Sequence, residues 1–181
     1  AQLSKSVDHI KDIVSTQQSY AGASTLLEPV NISALMDDAL RMNAGALSRH
    51  NVTVVKEYGQ VPEIMADKHR LLLIMVNLIS NAKQAYGGIT NRPHTVKLSV
   101  GLVDDLLRIS VADDGVGITT QHMKRIFSHG FTTKPDGHGF GLHSAVIAAQ
   151  EMGGALSAFS DGADKGACFT LELPARRVAH A

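Results

Sequence analysis

Four stretches of the chain hold residue types at spacings that chemistry can use. In Asn77-Leu78-Ile79-Ser80-Asn81-Ala82-Lys83-Gln84-Ala85 two amides stand four residues apart, which on a helix puts them on one face, one turn apart. Two aligned amide oxygens can hold a hard cation and its waters. The same pair also serves as a hydrogen-bonded polar spot in an otherwise apolar helix. Asp113-Asp114-Gly115-Val116-Gly117-Ile118 follows a β-rich run. A carboxylate at a strand end can face a pocket, and glycines beside it let a ligand approach the backbone, although Asp and Gly are also ordinary turn residues.

Phe127-Ser128-His129-Gly130-Phe131-Thr132-Thr133-Lys134 leads into Gly137-His138-Gly139-Phe140-Gly141-Leu142, after which the pattern turns helical. Glycines opening a helix expose amide donors at its positive end, where phosphate binds. The stretch is not a P-loop, which would end in Gly-Lys-Ser/Thr, nor a dinucleotide fingerprint after a first strand. The segment from Gly130 to Gly137, with Lys134 inside it, reads as a lid over a bound polyphosphate.

The elements that must position these residues follow from periodicity. Leu3, Val7, Ile10, Val14, Gln17 and Ala21 follow heptad steps, predicting an N-terminal helix that either seams with a partner or packs on its own domain. Gly22 and Pro29 break it. A helix is predicted from Ile32 to Leu47, a strand over Val52-Val55, and a short edge strand over Pro62-Ala66. Asp67 caps a long apolar helix running to Tyr86, which Gly87-Gly88 ends. Strands over Thr95 to Val103 and Leu106 to Val111 form a hairpin at Asp104-Asp105. A helix from Leu142 to Met152 and strands over Ala155 to Ser160 and Ala167 to Leu173 close the chain. This order predicts helices layered on one face of a mixed sheet.

Composition narrows the possibilities. The 181 residues are 44% hydrophobic and 19% charged, which fits a folded domain and excludes disordered, collagen-like and solenoid readings. Seventeen basic and seventeen acidic residues cancel, so no overall field draws the chain to nucleic acid or to a membrane. The single cysteine, Cys168, excludes intramolecular disulfides and points to a reducing compartment. No apolar run spans a bilayer. The expectation is a soluble, cytoplasmic chain without membrane contact, cut from a larger parent that a membrane could anchor. His138 and His143 lack a third ligand at metal-site spacing.

Taken together, the order and spacing of the four stretches resemble the N, first glycine, F and second glycine boxes of the Bergerat-type ATP-binding domain, in the version found in bacterial sensor histidine kinases. The resemblance covers about Glu28 to Pro174, with the lead-in Ala66-Asp67-Lys68-His69-Arg70-Leu71 and the tail Gly166-Ala167-Cys168-Phe169-Thr170-Leu171-Glu172-Leu173-Pro174. It implies an α/β (α+β) two-layer sandwich with a mixed, largely antiparallel sheet covered on one face by helices. It also implies a division into residues 1–27, the end of a dimerisation and phosphoacceptor helix, and 28–181, the ATP-binding catalytic domain.

The resemblance further implies roles. Asn81 matches the residue that coordinates the magnesium bridging the ATP phosphates, with Asn77 as a second polar contact. Asp113 matches the acceptor for the adenine amino group, and Gly115 and Gly117 match the glycines against which the purine lies. Thr132, Thr133 and Lys134 match the lid end near the phosphates, with Lys134 joining Asn77 and Asn81 as catalytic. Gly137, Gly139, Gly141 and Leu142 match the backbone donors, and Ala85, Ile118, His138 and Phe140 complete the nucleotide's contacts. Ala167 and Phe169 line the adenine side, Ala167 standing where relatives often have Ser or Thr.

The implied reaction moves the γ-phosphoryl group of Mg-ATP to a histidine of a phosphoacceptor domain in the same parent, and from there to a response-regulator receiver domain. Asp8-His9-Ile10-Lys11 lacks the acidic residue and downstream Pro of the acceptor motif. The expected acceptor therefore lies upstream, on the first helix of a hairpin whose second helix ends in residues 1 to 21, with weak homodimerisation through residues 3–21. Two alternatives stand beside this reading. One is a hydrolysing ATPase of the same fold, in which a Glu at the position of Asn77 activates water. The other is a nucleotide-sensing module without phosphotransfer.

Overall fold

The computed structural model describes residues 26–49, 51–89, 91–133 and 137–179. The expected N-terminal seam, His9 and Lys134 lie outside the described residues.

The long apolar helix predicted after Asp67 organises the rest. It spans Lys68–Gln84, and Asp67 caps it by accepting the Arg70 N–H on Oδ1 at 3.1 Å. That bond satisfies one of the orphan donors of the first turn. Leu71, Ile74, Met75, Leu78, Ile79 and Ala82 form its buried stripe, the spacing of one helical face. This stripe packs against the sheet and against the preceding helix, Ile32–Arg49. The residues left on the opposite side, Asn77, Ser80, Asn81 and Gln84, are polar. We call the Ile32–Arg49 helix α1 and the Lys68–Gln84 helix α2.

Among the described residues, seven strands form two sheets. β1 (Glu28–Val30) pairs antiparallel with β3 (Ile64–Ala66) as a separate ribbon. The main sheet runs in the order β2 (Val52–Tyr58), β4 (His94–Val103), β5 (Leu106–Asp113), β7 (Ala167–Pro174), β6 (Ala155–Phe159). Only β2 and β4 are parallel; the other pairs are antiparallel. The inward residues Val96, Leu98 and Val100 of β4, Leu107, Ile109 and Val111 of β5, and Phe169, Leu171 and Leu173 of β7 are all buried. They meet the helices on one face, so the structure is the two-layer sandwich with a mixed, largely antiparallel sheet. Two further helices follow β5, the one-turn α3 (Thr120–Met123) and α4 (Gly141–Glu151).

Four departures from the sequence reading stand out among smaller shifts at other element ends. β1 exists although Pro29 reads as a break, because an edge strand of a two-stranded ribbon tolerates Pro. β2 continues three residues past Val55, where Lys56 and Glu57 hide the alternation; those charges are paired, Lys56 with Asp37 and Lys97 with Glu57, each at 2.8 Å. β5 runs two residues beyond Val111, which makes Asp113 the last residue of a central strand, opposite Val96 on one side and Ala167 on the other. α3 was not expected; Thr119 caps it, accepting the His122 N–H at 3.2 Å.

Candidate functional site

The polar side of α2, the end of β5 and the start of α4 converge on one cavity of about 690 Å³. That volume lies within the usual range for small-molecule sites. Asn77, Ser80, Asn81 and Gln84 line it from α2, followed by Ala85. Ser80 and Gln84 were not singled out from the sequence, yet they fall at the same three- and four-residue steps as the two asparagines, so helical arithmetic would have found them.

Asp113 lines the cavity at its β5 end, accepting the Gly115 N–H on Oδ1 at 2.9 Å. Gly117 and Ile118 continue the wall, and Ala167 and Phe169 of β7 face it from the next strand. Among the expected residues that are described, Gly115 alone does not line the cavity: it is buried. A Cβ there would come within 2.5 Å of the Ala85 carbonyl oxygen and 2.7 Å of the Ala85 Cβ. Glycine is thus required at 115 by the approach of β5 to the end of α2, where Val116 N–H donates to the same carbonyl at 3.0 Å.

Beyond Gly117 the wall is held by one hydroxyl. Ser160 Oγ, just past β6, accepts the N–H groups of Ile118 at 3.0 Å and Gly162 at 3.3 Å, and donates to the Gly166 carbonyl oxygen at 2.6 Å. The cavity wall is therefore fastened to the β6–β7 loop by side-chain and backbone bonds together, since Asp164 N–H also donates to the Val116 carbonyl at 2.7 Å.

Phe131, Thr132, Thr133, Gly137, His138, Gly139 and Phe140 form the opposite rim. The two ends of this loop are joined: Gly130 N–H donates to the Gly139 carbonyl at 3.2 Å. Gly139 has φ +71, and a Cβ there would come within 2.6 Å of the Phe131 carbonyl oxygen, so the closure requires glycine. His143 Nδ1 lies 3.0 Å from the Phe127 carbonyl oxygen, tying the same loop to α4. Val116, His122, Ile126 and Phe131 also line the cavity. Val116 and Phe131 stand inside stretches picked out from the sequence but were given no role there, and His122 and Ile126 went unread, because loops and a one-turn helix carry no periodic signal.

Gly141 and Leu142 open α4 at the cavity. α2 and α3 each have a side-chain N-cap, but the cap position of α4 is Phe140, which supplies no side-chain hydrogen bond. The first-turn amides of α4 thus have no capping side chain, which is the arrangement that suits an anion. Asn77 Nδ2 donates to the Gly141 carbonyl oxygen at 3.3 Å, linking α2 to this helix start. Among the described residues lining the cavity, Asp113 is the sole carboxylate. No group of three or more His, Cys, Asp or Glu among the described residues is arranged to hold a metal.

With this geometry in view, comparison with known proteins is decisive. The model of the family described as histidine kinase-, DNA gyrase B-, and HSP90-like ATPase matches residues 66–177. The chain belongs to this family. Sensor histidine kinase ZraS of Escherichia coli K12 is 30% identical over 174 residues, covering 95% of this chain and 36% of the relative, and sensor protein TdiS of Thauera aromatica is 32% identical over 149 residues, covering 81% and 27%. The chain thus spans about a third of the length of these curated relatives. Full-length ShkA, solved in complex with AMPPNP, superposes with a TM-score of 0.82 at 26% identity over 94% of this chain and 36% of that one. The catalytic domain of histidine kinase ThkA superposes at 0.73, with 23% identity over 83% and 96%, and shares the fold. The chain is an ATP-binding domain of the sensor histidine kinase type. Among the described residues no helix is long and apolar enough to cross a membrane.

Proposed function

We propose that this domain binds Mg-ATP in the α2–β5–α4 cavity and presents its γ-phosphoryl group to a histidine on a separate phosphoacceptor domain of the parent protein. The observation that carries the reading is the convergence on one cavity of an amide-bearing helix face, a strand-end carboxylate and a helix start without a capping side chain. Asp113 is suited to accept the adenine amino group, with Gly117, Ile118, Ala167 and Phe169 about the ring. The amides at the start of α4 are suited to the phosphates, with Thr132, Thr133 and Lys134 from the lid. Residues 1–27 are assigned to the end of a dimerisation helix, and a response-regulator receiver domain is the proposed acceptor downstream.

The donor set fits magnesium, which takes a few protein oxygens and completes its shell with phosphate and water. Asn81 would hold it, with Asn77, whose Nδ2 points to Gly141, offering its amide oxygen one turn earlier. When bound, the ion supplies charge neutralisation on the triphosphate. The domain's own residues then orient the nucleotide so that a histidine nitrogen can form a bond to the γ-phosphorus as the bond to the leaving ADP oxygen breaks. Positioning and electrostatics carry this chemistry.

The absence of a carboxylate at position 77 favours transfer over hydrolysis, because an amide cannot take a proton from water. The test supplies γ-labelled ATP, magnesium and a separate phosphoacceptor domain. Acid-labile label on that domain, dependent on Asn81, is the expected result. ATP binding without any transfer would turn the reading into a nucleotide sensor.

A further inference from the structure

Asp113 has a neighbour of the same charge that the proposed nucleotide contacts leave without a task. Asp114 does not line the nucleotide cavity; with Arg92 it lines a separate open cleft of about 670 Å³, which has Gly88 on one side and Lys165 on the other. Its contacts are dense for a loop residue. Asp114 Oδ1 accepts the Thr95 backbone N–H at 3.0 Å, and Oδ2 accepts from Arg92 Nη1 at 3.2 Å. Arg92 Nη2 donates in addition to the Asp114 backbone carbonyl oxygen. One guanidinium thus grips the side chain and the main chain of the same residue from behind the cavity wall.

The peptide so held lies between the two groups that fix Asp113. Asp113 is the last residue of β5, and its Oδ1 is set by the Gly115 N–H; the Asp114 peptide joins the two. A forked, planar donor can fix two acceptors at once, which an ammonium point charge cannot do. We propose that Arg92 and Asp114 are positioning residues that aim the Asp113 carboxylate, and so set the strength of adenine recognition without touching the nucleotide. This rests on the nucleotide reading of the cavity. The pair is partly exposed, with side chains 40% and 39% accessible, and exposed ion pairs contribute little to stability. Its removal should therefore cost little stability, so that the effect on binding can be read.

The experiment is a double-mutant cycle read by calorimetry with ATP and magnesium. Arg92→Ala is expected to weaken ATP about 3- to 30-fold, within the range of coupling between contacting residues. In an Asp113→Ala background the same substitution should change ATP affinity less than about 2-fold, because the group it aims is gone. Arg92→Lys should fall between wild type and Arg92→Ala, and Asp114→Asn, which keeps an oxygen for Thr95 but loses the charge, should resemble Arg92→Lys. GTP, which presents a carbonyl at the position of the adenine amino group, should respond little to any of these. Equal losses from Arg92→Ala in both backgrounds would make the clamp a general support of the fold and overturn the proposal. So would unchanged ATP affinity in Arg92→Ala, or in Arg92→Lys and Asp114→Asn if Arg92→Ala does not fold, while Asp113→Ala weakens binding. Failure of the wild-type chain to bind ATP would instead overturn the nucleotide reading itself.

Discussion

Asn77, in the middle of α2, donates from Nδ2 to the carbonyl oxygen of Gly141, the first residue of α4, at 3.3 Å across 64 positions of sequence. The approach is close, since a Cβ on Gly141 would stand 3.4 Å from Asn77 Oδ1. One amide thereby fixes the offset between Asn81, a turn further along α2, and the helix start that has no capping side chain. The proposed metal-side donor and the proposed phosphate-side donors are set by the same bond.

The tether makes an ordering testable. Asn77→Ala removes one hydrogen bond, worth about 0.5–1.5 kcal/mol in stability. Asn77→Asp is nearly the same shape, but a carboxylate has no N–H to donate to Gly141, and it sets a negative charge beside the proposed phosphates. ATP affinity measured by calorimetry should fall in the order wild type, Asn77→Ala, Asn77→Asp. An Asp variant that binds as tightly as wild type would remove the tether from the account.

Asp113 carries the proposed base selection. A hydrogen bond to a charged group is worth about 1.5 to 3 kcal/mol, so Asp113→Ala should weaken ATP roughly 10- to 150-fold. GTP should bind the wild type poorly and lose little in the variant. Equal affinities of the wild type for the two nucleotides would exclude Asp113 as the selecting group.

The contrast between Asn77 and Ser160 shows what a sequence can carry. Asn77, Asn81 and the buried stripe of α2 are legible because a helix repeats every 3.6 residues, and the glycines before α4 are legible because a helix start has local requirements. Ser160 and Arg92 are not. Their partners lie 42 and 22 residues away, at Ile118 and Asp114, and no period links loops that meet only in the folded chain. The strand β1 was hidden for a different reason: Pro29 is tolerated because β1 is an edge strand, and the partner that makes it one, β3, lies far along the chain. The need for glycine at 115 was legible, but its cause, the packing of Ala85, was not.

Ser160 yields a stability prediction. Ser160→Ala strips the acceptor from the Ile118 and Gly162 N–H groups and the donor from the Gly166 carbonyl. Leaving such groups unsatisfied in a part-buried position costs about 1–3 kcal/mol. Urea unfolding should show that loss, and ATP affinity should fall with it because Ile118 lines the cavity. An unchanged unfolding midpoint would mean that the loop is held by its backbone bonds alone.

Tyr86 supplies a pH dependence. Its hydroxyl donates to the Thr95 carbonyl at 2.7 Å, and burial, then the negative charges of Asp113 and Asp114, raise its pKa well above the usual tyrosine value. A group whose pKa is raised by folding contributes stability that is fully present below its unfolded value, about 10, and is lost as pH rises from there toward the folded value. The slope for one such group reaches about 1.4 kcal/mol per pH unit. Tyr58 behaves alike, through burial and then Asp37. Urea unfolding between about pH 9.5 and 11 should therefore be flatter for Tyr86→Phe than for wild type, and flatter again when Tyr58→Phe is added. Parallel curves would mean that Tyr86 ionises as freely folded as unfolded.

The slowest reaction of the site is the most diagnostic. Hydrolysis needs a group that takes a proton from water, and general-base assistance typically contributes about 100- to 10,000-fold. Among the described residues lining the cavity the sole carboxylate is Asp113, already accepting the Gly115 N–H on the side assigned to adenine, while Asn77 and Asn81 are amides that cannot act as bases. Two imidazoles, His122 and His138, also line it; the first packs against Phe131 at 5.6 Å between ring centroids and the second stacks on Phe140 at 6.5 Å. Steady-state phosphate release with magnesium should run far below the median enzyme turnover of about 10 per second, and His122→Ala and His138→Ala should leave it unchanged. Chelating the magnesium should weaken ATP, because the contact that Asn81 would make to the nucleotide through the ion is then lost. Turnover near the median, lost in Asn81→Ala, would assign the chain to the hydrolysing branch of its family, and loss in either histidine variant would identify the base that the asparagines cannot be.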